Sequence, residues 1–381
     1  MKKWLVGLLV VCLMAMPCLA AEEAVTAAPS AVLMTTGGQV LLEKDAHAVR
    51  EPASVTKVMT LLLICEAIDG GLMTLEDPVT ASAHAASMGG SQVWLEEGEV
   101  LTVEEMLKCV AVVSANDCAV ALAEHIAGSE AAFVERMNAR AAELGMTHTR
   151  FVNACGLPAE GHVTCAYDIG LMSAQLLREH PWICDYTTIW QDSIRNGTSV
   201  LNNTNKLLKS YSGITGLKTG YTAAAGYCVS ATAERDGLPL IAVVMGGESS
   251  ASRNADAAAL LDRGFAAYGA VTFTADRPLL PVPVTLGDRE AVLPQLGETA
   301  PLVLEKRLLN GLEKTVELPE CLTAPVEPGQ QIGRLVVKNG EETVAEIPIL
   351  SSEGAARLDI FDIFCRLFGY LSGHCEKSFN F

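Results

Sequence analysis

The sequence is short of basic residues. Its 27 lysines and arginines face 45 aspartates and glutamates, a formal net charge of −18 at pH 7. A surface this acidic repels phosphate backbones and anionic lipid head groups, so no nucleic-acid partner is expected. Cysteine pairs at redox or metal spacing are also missing. None of the twelve cysteines forms a C-x-x-C arrangement, and their spacings outline no compact disulfide framework. Cys65, Cys109, Cys118 and Cys228 lie in apolar stretches, where a free thiol acts as a small buried hydrophobe. The seven histidines show no H-E-x-x-H or similar ligand spacing, so a zinc peptidase has little support and neither metal nor cofactor is expected.

The two richest apolar runs, 4–16 and 55–68, are both shorter than the ~20 residues that cross a bilayer. The first follows Lys2-Lys3 and ends in Pro17-Cys18-Leu19-Ala20-Ala21. A basic start, a short apolar core and small residues at −3 and −1 predict a secretory signal peptide over 1–20, cut after Ala20. Cys18 follows Pro17 rather than a small residue, which argues against a lipoprotein site. The remaining chain is long enough for two domains and an extracytoplasmic life.

The second run follows Pro52-Ala53-Ser54-Val55-Thr56-Lys57 and is stopped by Gly70-Gly71. Only Thr56, Lys57, Thr60 and Glu66 interrupt it, which predicts a helix buried on all sides. Ser54 and Lys57, three apart in its first turn, share a face. A serine hydroxyl needs a base to become a nucleophile, and lysine can be that base only when neutral. Burial disfavours the ammonium and would favour that state. Alone, S-x-x-K fits a capping serine and a surface lysine equally well.

Strands at 31–35 and 39–43 precede this helix as a hairpin. A loop-rich stretch fills 73–99, and Thr102-Val103-Glu104-Glu105 is a capping box opening a helix to about Val113. A turn at Ser114-Ala115-Asn116 leads to an alanine-rich helix ending near Gly128. Ser129 caps the next helix, closed by Gly145, and another fits 165–179, ended by Pro181. The period then changes: 187–194 and 198–202 flank Asn196-Gly197, and 227–234 and 238–245 flank Asp236-Gly237, two hairpins. Residues 252–268 return to helix. Strands enclosing a helical middle predict an α+β domain with an antiparallel sheet.

From 271 to 350 prolines recur among short β-like runs at 279–286, 302–304, 332–337 and 343–349, a small, mostly β second domain. The segment 355–371 is amphipathic. Leu358, Phe361, Phe364, Leu367, Phe368 and Leu371 fall on one side with Ile360 and Ile363 beside them, and Arg357, Asp359, Asp362 and Arg366 on the other. It fits a helix docked on its own domain or one lying in a membrane interface; its three phenylalanines favour the interface.

Two further triplets change the meaning of Ser54: Ser114-Ala115-Asn116 on an interhelical turn, and Lys218-Thr219-Gly220 opening an extended run. In the order S-x-x-K, S-x-N, K-T-G they resemble the penicillin-binding protein and serine β-lactamase superfamily. Glu96-Glu97-Gly98-Glu99, Phe151-Val152-Asn153, Cys155-Gly156-Leu157-Pro158, Asn203-Thr204-Asn205 and 216–226 resemble D-alanyl-D-alanine carboxypeptidases of low molecular mass, a likeness running from about Ser30 to Tyr268. Thr215 departs from it, where the family often carries an acidic residue.

The resemblance implies a β-lactamase/transpeptidase-like domain over 21–270, a β-rich domain over 271–352 and a membrane-association segment over 353–381. It implies that Ser54 attacks the penultimate D-alanine carbonyl of peptidoglycan stem peptides ending in D-Ala-D-Ala, with Lys57 as base and Ser114 as proton relay. Asn116 would orient the substrate amide and Lys57. Lys218 and Thr219 would hold the terminal carboxylate, Gly220 would allow close approach, and the backbone of Ser54 and Tyr221 would form the oxyanion hole. It also implies acylation by β-lactam antibiotics as inhibitors and a seat on the outer face of the cytoplasmic membrane. A β-lactamase would share the three triplets, but the E-x-x-L-N loop of the class A enzymes is missing between Asn116 and Lys218. A transpeptidase would share them too, with an amine in place of water. A noncatalytic wall-binding scaffold is a reading from a different class, yet a binding module would not need a nucleophile together with its base.

Overall fold

The computed structural model describes residues 26–297 and 301–371; the expected signal peptide lies outside them. A five-stranded antiparallel sheet forms the spine. Its order across the sheet is Val40–Lys44, Ser30–Thr35, Leu238–Gly247, Gly226–Arg235 and Ile214–Thr222. Register is set by period-2 burial on both faces. In the central strand Ile241, Val243 and Met245 join one apolar cluster, while Leu240, Ala242 and Val244 join another. The second face is covered by the Ser250–Ala267 helix through Ala257, Leu260, Leu261 and Phe265. The first face packs on the helical middle of the chain.

Within that middle, the Lys57–Asp69 helix is buried on every side, as its unbroken apolar run predicts. Around it stand helices Val103–Val112, Asn116–Ala127, Glu130–Glu143 and Ala166–Glu179. The capping box at Thr102 forms: its hydroxyl accepts the Glu105 N–H at 3.2 Å, and Glu105 Oε2 accepts the Thr102 N–H at 3.2 Å. Each buried Leu, Ile or Met contributes about 1.5–3 kcal/mol relative to exposure, so the nucleophile helix is anchored by packing rather than by propensity.

The structure departs from expectation in four local ways. The 73–99 stretch contains a strand, Pro78–Thr80, and a helical turn, Ala83–Ala86. The strand expected from 187 begins only at Gln191, because Cys184–Thr187 closes a short helical turn whose Thr187 is buried. The K-T-G triplet lies in the middle of its strand, not at its start. The C-terminal helix runs Ile360–Leu371 rather than from 355. Residues just before it belong to the β domain: Ala355 is buried and pairs with Val326, and the Leu358 N–H donates to the Leu286 carbonyl at 2.9 Å.

That β domain is built on Gln331–Asn339 and Glu342–Ser351, joined at Asn339-Gly340 and flanked by Leu312–Glu317 and Pro294–Leu296. Leu335, Val337, Ile347 and Ile349 fill its interior. The nine described cysteines are all free, and Cys65, Cys109, Cys118 and Cys228 are buried. No helix among the described residues is long and apolar enough to cross a membrane.

Candidate active site

Ser54 sits in a tight 3₁₀ turn, Ala53–Thr56, that feeds directly into the nucleophile helix. Three residues apart on one face, Ser54 and Lys57 meet: Lys57 Nζ donates to Ser54 Oγ at 3.1 Å. Its other protons go to Asn116 Oδ1 at 2.6 Å and the Cys155 carbonyl at 2.7 Å. Lys57 is wholly buried, and desolvation lowers its pKa from 10.5 to about 8, with Cys155 and Asp117 pulling the other way. Ser54 remains partly exposed, so a hydroxyl and a readily neutralised amine share an accessible edge.

Asn116 opens its helix and is locked from behind, its side-chain nitrogen donating to the Gly89 carbonyl at 2.6 Å. The buried Asp117 accepts the N–H groups of Val93 and Leu95 at 3.0 and 3.1 Å, tying the 89–95 loop to the same helix end. Ser114, two residues earlier, holds a left-handed backbone at φ 66°, and its buried hydroxyl has no hydrogen-bond partner among the described residues. Such strain persists where the surroundings over-determine it, and an unpaired buried hydroxyl costs about 1–3 kcal/mol, so the pair points to a group kept free for a ligand.

The Cys155 carbonyl is aimed by Asn153, whose Oδ1 accepts the Gly156 N–H at 2.7 Å and those of Cys155 and Leu157 at 3.2 Å. Gly156 has φ 88°, and a Cβ there would overlap the Ala53 carbonyl, directly behind the nucleophile. Gly156→Ala is therefore expected to push the Ser54 turn off Lys57. Labelling by penicillin should slow about 100-fold and the thermal midpoint should fall, both read on the purified variant.

Lys218 occupies the fifth position of its strand, almost fully buried, with Nζ donating to the Thr219 carbonyl at 2.9 Å. Burial, then the nearby Lys57 and Arg253 charges, drive its pKa well down. Thr219 Oγ1 pairs with Thr204 Oγ1 at 2.8 Å. A Cβ on Gly220 would lie 3.0 Å from the backbone nitrogens of Ser54 and Val55, so only glycine lets this strand approach the nucleophile so closely. Tyr221 is 55% exposed and stacks on Tyr227 with ring centroids 4.3 Å apart.

The structure thus joins Ser54, Lys57 and Asn116 directly, sets Gly220 against the nucleophile, and places Lys218 within electrostatic reach of Lys57. Two contributors were not among the site residues expected from the sequence. The Cys155 carbonyl reaches Lys57 across 98 positions of sequence. Arg253 looked like any residue of its helix, yet it is 4% exposed and has no ion-pair partner among the described residues. Among the described residues its guanidinium meets neutral groups: Ser250 Oγ, Asn254 Oδ1, the Cys228 carbonyl and the face of the Tyr227 ring.

Comparison with known proteins shows the family and the fold. The sequence pattern of the family described as D-alanyl-D-alanine carboxypeptidase matches residues 18–249, and that of the penicillin-binding protein 5 C-terminal domain matches 272–356. The D-alanyl-D-alanine carboxypeptidase DacF of Bacillus subtilis is 39% identical over 348 residues, covering 90% of this chain and 89% of the relative. Penicillin-binding protein 5 from Haemophilus influenzae superposes with a TM-score of 0.74 at 28% identity, over 87% of this chain and 98% of that one. Penicillin-binding protein D2 from Listeria monocytogenes in its ampicillin-bound form is 31% identical, with a TM-score of 0.58 over 63% of this chain and 98% of that one. With its S-x-x-K, S-x-N and K-T-G triplets on this α+β scaffold, the chain belongs to the D-alanyl-D-alanine carboxypeptidase family of serine peptidases.

Proposed function

We propose that this protein removes the terminal D-alanine from peptidoglycan stem peptides through an acyl-enzyme on Ser54. The observation that carries the reading is electrostatic. A partly exposed serine touches the buried Lys57, and the strand that packs against it carries the buried Lys218, with the buried Arg253 within electrostatic reach of Lys218; none of these three basic groups has an ion-pair partner among the described residues. Burying unpaired cations costs several kcal/mol each, and an incoming carboxylate is the missing counter-charge.

In the proposed reaction Lys57 Nζ takes the Ser54 proton as Oγ bonds to the penultimate carbonyl carbon. The oxyanion is received by the backbone N–H groups of Ser54 and Tyr221, a contribution of about 3 kcal/mol per donor. Ser114 passes a proton to the leaving amine, D-alanine departs, and water then cleaves the ester. Asn116 holds Lys57 and the substrate amide, while Lys218, Thr219 and Arg253 grip the terminal carboxylate. β-Lactams acylate the same serine, a reading supported by the relative whose solved structure is an ampicillin-bound form. The test is incubation with a peptide ending in Lys-D-Ala-D-Ala and its C-terminal amide, assaying free D-alanine or its amide. Rapid release from the acid and about 100-fold less from the amide are expected. Equal rates would remove the carboxylate grip, and no release from either would sink the peptidase reading.

We place this activity in a domain over 21–270 followed by the β domain over 271–352, in an exported protein. The segment assigned to 353–381 starts its membrane-facing part at Ile360, because 355–358 dock on the β domain. Ile360, Phe361, Phe364 and Phe368 are each more than 60% exposed, an apolar face suited to the outer leaflet boundary of the cytoplasmic membrane. Deleting 360–381 should move the protein from the membrane fraction to the soluble one with D-alanine release unchanged. Retention on membranes would overturn the anchoring role.

A further inference from the structure

The structure gathers three metal-ligating side chains that sequence spacing leaves 101 and 17 positions apart. The donor atoms of His47, His148 and Cys165 all lie within 4.8 Å of one another. His47 comes from the connection between the Val40–Lys44 strand and the nucleophile turn, and His148 from the loop after the Glu130–Glu143 helix. Cys165 is the N-cap of the Ala166–Glu179 helix, its sulfur accepting the Asp168 N–H at 3.4 Å. The cap position is one that Ser, Thr, Asp or Asn normally fills, and a helix N-terminus stabilises a thiolate.

A second, independent feature points the same way. Asp168 is completely buried beside Cys165. Its Oδ2 accepts the His148 N–H at 2.9 Å and the Thr149 hydroxyl at 2.7 Å, but its Oδ1 has no hydrogen-bond partner among the described residues. A buried carboxylate oxygen left without a donor or cation is costly. A cation in this corner would offset the buried Asp168 charge. The backbone is already fixed around them. The Tyr167 N–H donates to the Ala46 carbonyl at 3.0 Å, Arg50 and Thr164 exchange hydrogen bonds at 2.8 and 2.9 Å, and Arg150 and Val163 do so at 2.9 and 3.0 Å. Thr147 Oγ1 lies 3.2 Å from His148 Nδ1, which leaves Nε2 as the ligating atom.

We propose that His47, His148 and Cys165 bind a divalent ion of the zinc class, with the fourth position taken by water. Two imidazoles and a thiolate match zinc's preference, with Zn–N of about 2.0 Å and Zn–S of about 2.3 Å placing tetrahedral donors about 3.3–3.5 Å apart. Closing from 4.8 Å needs about 1 Å of movement, which the exposed His47 side chain supplies by a rotamer adjustment. On binding, the thiol proton leaves to solvent and the sulfur takes the metal in its place. The ion clamps the segment leading to Ser54, the loop leading to Asn153 and the start of the Ala166–Glu179 helix. It is therefore structural, and it stands apart from the acyl-transfer chemistry.

The test titrates the chelator-treated full chain with Co(II), followed by competition with Zn(II). One equivalent should give a thiolate-to-cobalt charge-transfer band in the near ultraviolet that zinc abolishes, and zinc should raise the thermal midpoint. Cys165→Ser keeps a good helix cap, so it should fold and react with penicillin normally. It should lose the band, bind zinc about 100-fold more weakly or worse, and lose the zinc-dependent thermal shift. His148→Ala should weaken zinc binding likewise. Absence of the band in wild type, or a band or thermal shift of equal size in Cys165→Ser, would overturn the site and place any binding at another cysteine.

Discussion

Ser54→Ala is expected to abolish covalent attachment of labelled penicillin and to lower D-alanine release from a Lys-D-Ala-D-Ala peptide by about 10⁴-fold or more. The size follows from what the hydroxyl does. In the proposed reaction the carbonyl carbon is transferred first to Oγ and from there to water, so both halves require this oxygen. Stability should change little. Ser54 is partly exposed, and its hydroxyl accepts from Lys57, a contact worth about 1 kcal/mol net. Lys57 keeps its bonds to Asn116 and the Cys155 carbonyl, so the pocket holds its shape. The variant should therefore still bind the peptide, which equilibrium binding can show separately from turnover. Adduct formation on the variant at the wild-type rate would place the nucleophile elsewhere.

What could be read from the sequence was whatever depends on local spacing. Ser54 and Lys57 meet because three positions in a helical turn bring them together, and the Thr102 capping box forms for the same reason. The Asp236-Gly237 turn signal marked the strands expected at 227–234 and 238–245, which run 226–235 and 238–247, and the apolar run marked the buried helix. What could not be read depends on contacts between distant segments. Asn153, Cys155 and Arg253 act through a backbone carbonyl or through an ion-pair partner they lack, and neither leaves a spacing signal. The early helix start at 355 has a physical cause: Ala355 and Leu358 fit the helical period, yet they are spent on the β domain. Leu312–Glu317 escaped notice because four of its six residues are exposed, so its apolar alternation is thin. His47, His148 and Cys165 belong to this second group too, since only the folded chain brings them within reach.

Lys57→Ala should slow acylation about 10³-fold with the fold retained, and the pH profile should identify the cause. Burial disfavours the ammonium, so the Lys57 proton leaves at about pH 8 rather than near 10.5. Only the neutral amine can accept the serine proton. The competent fraction is then about one-tenth at pH 7, one-half at pH 8 and nine-tenths at pH 9, so penicillin acylation should rise about fivefold from pH 7 to 8 and level off above 9. Lys218 strengthens this arrangement. Burial first, then the Lys57 and Arg253 charges, disfavour the Lys218 ammonium, and a bound carboxylate would favour its proton. In the proposed reaction Lys57 acts as the base, and the substrate carboxylate is what makes Lys218 a cation. Lys57→Arg keeps a positive charge at every accessible pH and should lose acylation without any rise. Lys218→Arg should keep the rise near pH 8 and instead raise KM for the peptide acid. A step near pH 8 that survives in Lys57→Ala would assign the base to another group, because no charge change at position 57 would remain to produce it.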